Sequence, residues 1–593
     1  MTQHPPKPRL ALTIGVTGHR LHRPPAPGED GPGEPRAFDV AAVQDALAAV
    51  FAASAAGLAA VDAEAKASFR EIPPIVTLIS SLAEGADRLA AHAALAAGFA
   101  LDVVLPCPAT TYLETFADHA SRDEFAALSA RARATLVLPL AGDDARPLAE
   151  RLPASYEAAG LTMLGQSDIL VAVWDGEPAG GRGGTGAIVE EAARRGAPIV
   201  VVDPRDGATR LLWADDPADA TAGRRALDIA PRPIEPALGE LIARLVAPPG
   251  AKDERAGLRR YFASRVGADA GRRASQVFDG RDIEGPRARW PRVSAVVGGS
   301  ATNRAAARRY AEALLAAEDV AQRHAGAYRR LFLISSAATV IASAFVAGAA
   351  RFHALHVAAA AVELAIVALV GALVVLAERR RWRHQWFEAR EVAERLRIVA
   401  PEWLLGAWPS HLKPAQAAWP GWCARAIARE LPLFAGEVGG LVDEIRAILA
   451  ALVDEQLAYH AANAERLERR DHVYEGIGVG LLAASMLNNA AYLGVRFFSP
   501  PGLDGYESWG LAAAIFLPAA ATAAYGVRLF GDYEDLARRS RRTAERLRAL
   551  KARVAGALDL AALRGVAEAA TQAMLSDLDA WRVAVESRRL SAS

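Results

Sequence analysis

The chain has 593 residues with 68 Lys and Arg against 68 Asp and Glu, so its formal net charge at pH 7 is zero. This balance argues against a dedicated nucleic-acid binder, which needs a large positive field to neutralise phosphates. The two cysteines, Cys107 and Cys423, exclude a disulfide framework and a cysteine-based zinc site. We therefore expect no nucleic-acid partner, no metal ion and no resident cofactor.

The N-terminal region alternates between short apolar runs and helical patterns, and its first 30 residues lack the apolar h-region of a secretory signal peptide. The apolar runs predict six strands, at 10–16, 74–80, 101–105, 134–140, 168–174 and 198–202. The helical patterns lie at 38–61, 85–98, 121–132, 154–164 and 186–195. This alternation predicts an α/β domain over 8–250 with a doubly wound, Rossmann-like parallel sheet, in which ligands bind beyond the carboxyl ends of the strands.

The loop after the first predicted strand has a composition that suits an anion. Gly15 and Gly18 let a ligand approach the backbone, and Thr17 offers a hydroxyl group. Arg20 suits a phosphate because its guanidinium group presents a fork of donors. His19 either contacts the ligand or is a packed histidine, and we include it among the candidate ligand-binding residues.

The loop after the second predicted strand leads into a helix. Ser80 and Ser81 are placed to cap this helix, Gly85 allows close approach at its first turn, and Asp87 follows. The four residues form a second candidate ligand-binding loop. The alternative is an ordinary capped helix without a ligand.

The loop after the fifth predicted strand opens a helix with a glycine run. Its candidate ligand-binding residues are Asp175, Gly176, Arg182, Gly183, Gly184, Thr185, Gly186 and Glu190. A glycine run at a helix N-terminus presents free amides and the positive end of the helix dipole to an anion. The run is not a Walker A loop, since no GKS or GKT follows, and it is not the dinucleotide-binding GxGxxG that follows the first strand of a Rossmann fold. A flexible linker is disfavoured because a strong strand precedes the run and a strong helix follows it.

The C-terminal half indicates a membrane protein. Four uncharged or nearly uncharged segments are long enough to cross a bilayer, at 331–350, 356–377, 476–495 and 508–527. The alternative, four core helices of a soluble domain, requires every segment to be buried on all sides. Arginines cluster before the first and third spans and after the second and fourth, which predicts two hairpins that turn outside a cytoplasmic membrane, with both termini cytoplasmic.

The two hairpins have the pattern of an internal duplication. AERLR occurs at 393–397 and again at 544–548, an offset of 151, and the second and fourth spans end with nearly the same offset. We therefore predict two hairpin units, over 304–400 and 451–593. A linker over 251–303 precedes the first unit. A connector over 401–450, rich in Trp and Pro, separates the two, either as an interfacial anchor or as a packed loop.

Three polar residues lie inside the predicted spans. Asn488 and Asn489 are near the middle of the third span and either hydrogen-bond within the bundle or line a pore. Glu363 lies in the second span, and an intramembrane carboxyl group is a functional candidate by default. No span has the repeated charged pattern of a proton-coupled transporter.

The three loops carry a family resemblance. SSLAEGAD (80–87) resembles the SGLA-x-GID motif of the DprA branch of the SLOG superfamily, a Rossmann-like group that also includes the LOG phosphoribohydrolases. RGGTGAIVE (182–190) resembles the LOG motif PGGxGTxxE, with Arg182 in place of Pro and Ala187 in place of Thr. The first-strand loop is similar to that of SLOG proteins with membrane domains. The paired hairpins resemble SLATT domains, two-span effector modules that accompany SLOG sensors.

The resemblance implies a sensor of a nucleotide-derived small molecule that controls a pore-forming or membrane-disrupting module, in bacterial stress or antiphage defence. A homo-oligomer in the lipid bilayer is expected. An enzyme is the second hypothesis, since Glu190 occupies the place of the LOG catalytic glutamate and Arg20 or Arg182 would hold a phosphate during hydrolysis of an N-glycosidic bond. The third hypothesis is a membrane-anchored interaction protein with a vestigial site.

Overall fold

The computed structural model describes residues 4–20, 38–142, 145–179, 181–213, 225–267, 289–349, 356–407, 418–498 and 505–590. The chain forms two compact units. The first, here called the sheet unit, comprises Met1–Glu318, Glu391–Leu452 and Ala552–Gln572. The second, here called the helical unit, comprises Asp319–Arg390, Val453–Lys551 and Ala573–Ser593. The predicted domain boundary at residue 250 therefore does not coincide with a boundary of the sheet unit.

The sheet unit is built on a mixed, mainly parallel sheet in the order β8-β7-β6-β5-β1-β2-β3-β4-β9. All six predicted strands are confirmed as parallel neighbours. They are β1 (Ala11–Gly18), β2 (Ile75–Ser80), β3 (Ala100–Leu105), β4 (Ala134–Val137), β5 (Ile169–Val173) and β6 (Ile199–Val202). Their apolar side chains are almost all buried, as expected of strands covered by helices on both faces.

Three strands at the sheet edges were not predicted, which makes the sheet mixed rather than wholly parallel. They are β7 (Thr209–Leu212), β8 (Pro231–Arg232) and β9 (Gly436–Glu437). β7 is antiparallel to both β6 and β8, whereas β9 is parallel to β4. These strands have only two to four residues, too few to show the alternation by which a strand is recognised.

Helices connect and cover these strands. They are α1 (Val40–Ala65), α2 (Ala86–Ala96), α3 (Ala109–Leu113), α4 (His119–Ser129), α5 (Leu148–Gly165), α6 (Thr185–Arg194), α7 (Ile234–Val246), α8 (Lys252–Ala263) and α9 (Arg289–Val297). The five predicted helical patterns correspond to α1, α2, α4, α5 and α6. The predicted linker contains α8 and α9, and its residues 268–288 lie outside the described part of the chain.

The predicted connector is part of the sheet unit. Its helices are α13 (Val399–Leu404) and α14 (Trp419–Arg429), and β9 adds to the sheet edge. Trp403, Trp419 and Trp422 are buried, and the indole of Trp422 donates to the carbonyl of Val246 at 3.0 Å. These tryptophans pack inside the unit, whereas Trp408 lies outside the described residues.

The other helices are long. They are α10 (Ala301–Ala349), α11 (His356–Arg380), α12 (Trp382–Arg397), α15 (Val442–Phe498), α16 (Tyr506–Gly531), α17 (Tyr533–Gly556) and α18 (Leu560–Leu590). In the described part of the chain, five helical stretches are long and apolar enough to cross a membrane, which characterises the chain as a membrane protein. Four of them contain the predicted spans. The fifth is α1 with the turn after it, and α1 packs against α7, α2 and β6.

The two predicted hairpin units share a feature of backbone conformation as well as a repeated sequence. The helix that contains the second predicted span ends at Arg380, and the one that contains the fourth ends at Gly531. The next residue, Arg381 or Asp532, has a left-handed conformation (φ 50° and 48°), and a new helix follows at once. These two breaks have the same offset of 151 residues as the repeated AERLR. The predicted duplication is therefore accompanied by a matched break after each second predicted span.

Candidate functional site

Three predicted loops meet at one edge of the sheet. β1 lies between β2 and β5, so the order of the strands reverses beside β1, and this reversal marks the usual ligand site of an open α/β sheet. His19, directly after β1, has its Nε2 atom 2.9 Å from Oδ1 of Asp175, two residues after β5. The amide of Ala86, at the start of α2, donates to the carbonyl of His19 at 3.2 Å. The carboxyl-end edge at β1, β2 and β5 is the candidate site.

Two glycines of the first loop serve close packing. A Cβ atom on Gly15 would lie 2.2 Å from Sδ of Met163 on α5. A Cβ atom on Gly18 would lie 2.3 Å from Cβ of Ala86 on α2. Both distances are impossible for real side chains, so these glycines let the helices approach β1. Thr17, between them, is half-buried at the end of the strand.

Arg20 is the cation of the first loop. Its guanidinium carbon lies 5.7 Å from the centre of the Tyr156 ring, within cation–π distance. Tyr156 belongs to an aromatic cluster with Tyr112, whose ring centre is 6.4 Å away. Burial of Tyr112 raises the pKa of its phenol, and the nearby carboxylate of Asp87 adds to this effect. The cluster thus holds Arg20 against an apolar wall at the edge of the sheet.

The second loop is strained and is held by its own side chains. Leu82 is fully buried with a left-handed φ of 53°. The hydroxyl of Ser80 accepts from the Leu82 amide at 3.0 Å and donates to Asp87 at 3.3 Å. Backbone amides of Ser81 and Ala83 also donate to the Asp87 carboxyl group. Asp87 is buried, and burial raises its pKa to about 6. Asp87 therefore fixes the shape of the loop from within.

Two further residues clamp this loop, and the sequence analysis missed both. Arg88, which is 3% exposed, donates to the carbonyl of Leu82 at 3.1 Å and to that of Ser121 at 2.9 Å. The carboxylate of Glu84 accepts from the amide of Ala117 at 3.0 Å. Ser121 and Ala117 lie 33 residues further along the chain than Arg88 and Glu84, so no local pattern marks these two contacts. Strained backbone that is this firmly supported is typical of a functional loop.

The glycine-rich loop divides into packed and open positions. Gly183, with φ +78°, leaves no room for a side chain, since a Cβ atom there would lie 2.5 Å from the backbone of Glu157. Gly186 packs in the same way against the backbone of Ala179. By contrast, Gly176, with φ +86°, faces open space with no atom within 4 Å. Of these three glycines, only Gly176 borders a volume that a ligand can occupy.

The remaining predicted residues of this loop surround the start of α6. Gly184 caps α6 without a side-chain bond, and Thr185 is its first residue. Arg182 is exposed and pairs with Glu157. Glu190 lies further along α6, where its carboxylate accepts from the amide of Ala226 at 3.1 Å. This contact ties α6 to the turn Ala226–Asp228, which is a structural use of Glu190.

The loop after β6 adds a second cation to the same edge. Arg205 is 58% exposed and makes a two-point ion pair with Asp203, at 2.9 and 2.6 Å. This hydrogen bonding lowers the pKa of Asp203. Hydrogen bonding to Asp203 raises the pKa of Arg205, and the negative charge of Asp175 adds to this effect. The signal was present in the sequence, because Asp203 directly follows the predicted strand 198–202.

The polar residues of the spans take different positions. The side-chain amide of Asn488 donates to the carbonyl of Gly510 at 2.9 Å, and the Tyr506 hydroxyl donates to Asn488 at 3.3 Å. Asn488 therefore links α15 to α16 within one hairpin. Asn489 and Glu363 are exposed on the surface of the helical unit.

Comparison with protein-family models, with curated proteins and with solved structures finds no match to this chain. The ligand chemistry of the site is therefore inferred from the geometry of its side chains and backbone amides. The edge presents the guanidinium groups of Arg20 and Arg205, the amides at the start of α6 and the carboxylates of Asp175 and Asp203. Guanidinium groups and helix amides suit an anion, and carboxylates suit hydroxyl groups.

Proposed function

We propose that this membrane protein is a sensor and effector whose sheet unit binds a nucleotide-derived small molecule and thereby controls its membrane helices. The observation that carries the proposal is the convergence of the β1, β2 and β5 loops at the strand-order reversal, with His19 bonded to Asp175. The SLOG-like motifs lie in these loops. Their glycines and Asp87 serve to shape the edge, and Arg20, Asp175 and Gly176 border it.

The chemistry of the edge favours a ligand with a phosphate and a ribose. Arg20 and Arg205 suit the phosphate, together with the amides at the start of α6. Asp175 and Asp203 suit the ribose hydroxyls, as an acidic residue does in dinucleotide-binding sheets. The ligand controls the membrane helices only to the extent that it binds one state of the protein more tightly than the other.

The membrane part of the proposal uses four spans, in α10, α11, α15 and α16. α1 is left out because it packs on the sheet. The arginine clusters support, by the positive-inside rule, the proposal that both termini are cytoplasmic. Asn489 and Glu363, exposed within the spans, favour a homo-oligomer, because polar groups in a bilayer are stabilised by facing another helix.

The test uses the full chain in detergent, because the sheet unit includes segments far beyond residue 250. Thermal unfolding is recorded with a panel of nucleotides, cyclic nucleotides and ADP-ribose compounds. A ligand at 100 times its Kd stabilises by about 2.7 kcal/mol. Arg20→Met should weaken binding about tenfold to a hundredfold, since a hydrogen bond to a charged group contributes about 1.5–3 kcal/mol. Arg131→Met, an exposed arginine just after α4, is the matched control.

The outcomes separate the three hypotheses. A ligand recovered unchanged, with binding lost in Arg20→Met, supports the sensor. A ligand recovered cleaved, with cleavage abolished by Glu190→Gln, supports the phosphoribohydrolase instead. Equal binding by Arg20→Met and Arg131→Met removes the proposed site. The absence of any hit favours the interaction protein, which pull-down experiments then test directly.

A further inference from the structure

Arg425, on α14 in the sheet unit, is a buried arginine with unsatisfied donors. The residue is 6% exposed. Its Nε and Nη1 atoms are fully buried and have no hydrogen-bond partner in the described part of the chain. A buried guanidinium group normally donates to several acceptors, because burial without partners costs several kcal/mol. Arg425 therefore lacks a partner that its environment calls for.

Two other arginines lie close to Arg425, and each has a carboxylate of its own. Arg429, one turn further along α14, makes a two-point pair with Asp168 through Nε at 2.8 Å and Nη2 at 2.7 Å. Arg395, on α12, pairs with Glu391 at 2.9 Å. Among the described residues, Arg425 thus adds a third guanidinium group beside these two ion pairs.

The electrostatics agree with this geometry. Burial, with a smaller contribution from the positive charge of Arg429, lowers the pKa of Arg425 to about 10, while the charge of Asp168 opposes this shift. Asp168 already accepts from the amide and the hydroxyl of Thr13, at 3.0 and 2.9 Å, in addition to Arg429. Its lone pairs are therefore committed, and it does not supply the partner for Arg425.

We propose that Arg425 anchors an anion-binding site for a phosphate group, with Arg395 and Arg429 adding to its positive field. A guanidinium group binds a tetrahedral oxyanion through charge-assisted hydrogen bonds, and such an anion would balance the charge of Arg425. The site is separate from the candidate site at the carboxyl ends of the strands, because Asp168 directly precedes β5 and so lies at the opposite edge of the sheet. Its occupant would stabilise the packing of α12 and α14 on the sheet.

The experiment titrates inorganic phosphate against the full chain in lipid-free detergent at constant ionic strength and follows thermal unfolding. The melting temperature should rise saturably with phosphate. Arg425→Met should abolish this rise, and without phosphate it should be at least as stable as the wild type, because an apolar group replaces an uncompensated buried charge. Arg259→Met, an exposed arginine on α8, is the matched control and should keep the full response.

Two results would overturn the site. One is a phosphate response that survives Arg425→Met, in particular one that is lost instead in Arg20→Met. The other is a phosphate-free Arg425→Met protein that folds but is less stable than the wild type, since the charge is then already compensated within the chain. If Arg425→Met does not fold, Arg425→Lys replaces it. The lysine keeps the charge without the fork of donors, so the phosphate midpoint should rise at least tenfold, and an unchanged midpoint rejects the site.

A lipid phosphate would make the same contacts, so a second titration adds phosphatidylglycerol to phosphate-free micelles. Stabilisation by the lipid alone, lost in Arg425→Met, assigns the site to a lipid head group. Stabilisation by the free ion, lost in the same variant, assigns it to a soluble phosphate. No response to either anion overturns the proposal.

Discussion

At the scale of single residues, most motif residues of the candidate site make contacts within the protein that fix the shape of the loops. Asp87 is the clearest case. Its carboxyl group accepts from the amides of Ser81 and Ala83, on either side of Leu82, which has a left-handed conformation. Gly15, Gly18, Gly183 and Gly186 allow close packing. Residues that resemble a ligand-binding motif thus shape the loops, and Arg20, Asp175 and Gly176 are the predicted residues that border the proposed ligand site.

Asp87 gives the sheet unit a specific pH dependence. Its pKa rises from 3.8 to about 6 on folding, so the folded protein retains a proton that the unfolded chain loses between these values. Stability from this group is therefore present below about pH 4 and lost as the pH rises through 6, on the order of 3 kcal/mol in total. Asp87→Asn, which mimics the neutral form, should be more stable than the wild type at pH 7.

The measurement is the difference in melting temperature between Asp87→Asn and the wild type from pH 4 to pH 7. This difference should grow in favour of Asp87→Asn up to about pH 6 and then level off. Asp45→Asn, an exposed carboxyl group on α1, is the control for a general charge effect. A difference that is independent of pH would show that Asp87 is already ionised in the folded protein at pH 4.

Gly18 provides a test of packing at the same edge. Gly18→Ala places a Cβ atom 2.3 Å from Cβ of Ala86, so α2 must move away from β1. Overpacking of this kind costs about 1–3 kcal/mol. Gly181→Ala, which meets no atom within 4 Å, should leave the stability nearly unchanged. Thermal unfolding of the two variants, compared with the wild type, checks the expectation, and equal stabilities would contradict it.

At this scale, residues next to a strong strand could be predicted from the sequence, whereas contacts between residues far apart along the chain could not. His19 and Asp175 were identified because each follows a strong strand, and parallel topology brings such loops to one edge. Arg429 and Asp168 were missed, since 261 residues separate them and no local pattern relates them. Arg425 is conspicuous only once its burial is known.

At the scale of elements, the repeated break after each second span is the most specific feature of the helical unit. A left-handed residue without a glycine costs about 1–2 kcal/mol, so two matched instances at Arg381 and Asp532 indicate a conformation that the fold imposes. The sequence predicted the duplication from AERLR. It did not predict the breaks, because Arg and Asp carry no signal for them.

Glycine substitution distinguishes an imposed break from an ordinary helix. Arg381→Gly and Asp532→Gly should be neutral or slightly stabilising, because glycine adopts a positive φ without steric cost. Arg380→Gly, one residue earlier at the last residue of the helix, should destabilise by up to about 1 kcal/mol, because glycine is a poor helix former. Thermal unfolding of the three variants in the same detergent tests this. A loss at 381 and 532 as large as that at 380 would mean that the helices continue through these positions.

At the scale of the whole molecule, the sheet unit is assembled from three distant parts of the chain. The segment 399–406 follows the first hairpin, and the start of α18 follows the second. Arg564 of α18 donates to the carbonyl of Leu405 at 2.9 and 2.7 Å, and the Thr571 hydroxyl donates to Glu402 at 2.9 Å. Sequence analysis treated these segments as separate domains, because it sees composition along the chain and not contacts across it.

Glu402 should make the docking of α18 weaken as the pH rises from mildly acidic values to about 8. The residue is 3% exposed, and burial raises its pKa from 4.5 to about 8, with a further contribution from Glu568. The protonated form therefore predominates in the folded protein at neutral pH. The stability that depends on this form, on the order of a few kcal/mol, is fully present below about pH 4.5 and is lost as the pH rises from there through 8. A buried charge then weakens the contact between residue 402 and α18.

Hydrogen exchange of residues 560–572, corrected for the intrinsic rate at each pH, measures this docking. In the wild type, protection should fall from about pH 5 to about pH 8 and then level off. Glu402→Gln, which stays neutral and accepts from Thr571, should keep its protection over the whole range. Thr571→Val, which removes the donor to Glu402, should lower protection at every pH. An equal fall in the wild type and in Glu402→Gln would assign the change to other groups, and the C-terminal segment would then be held in the sheet unit mainly by Arg564 and apolar packing.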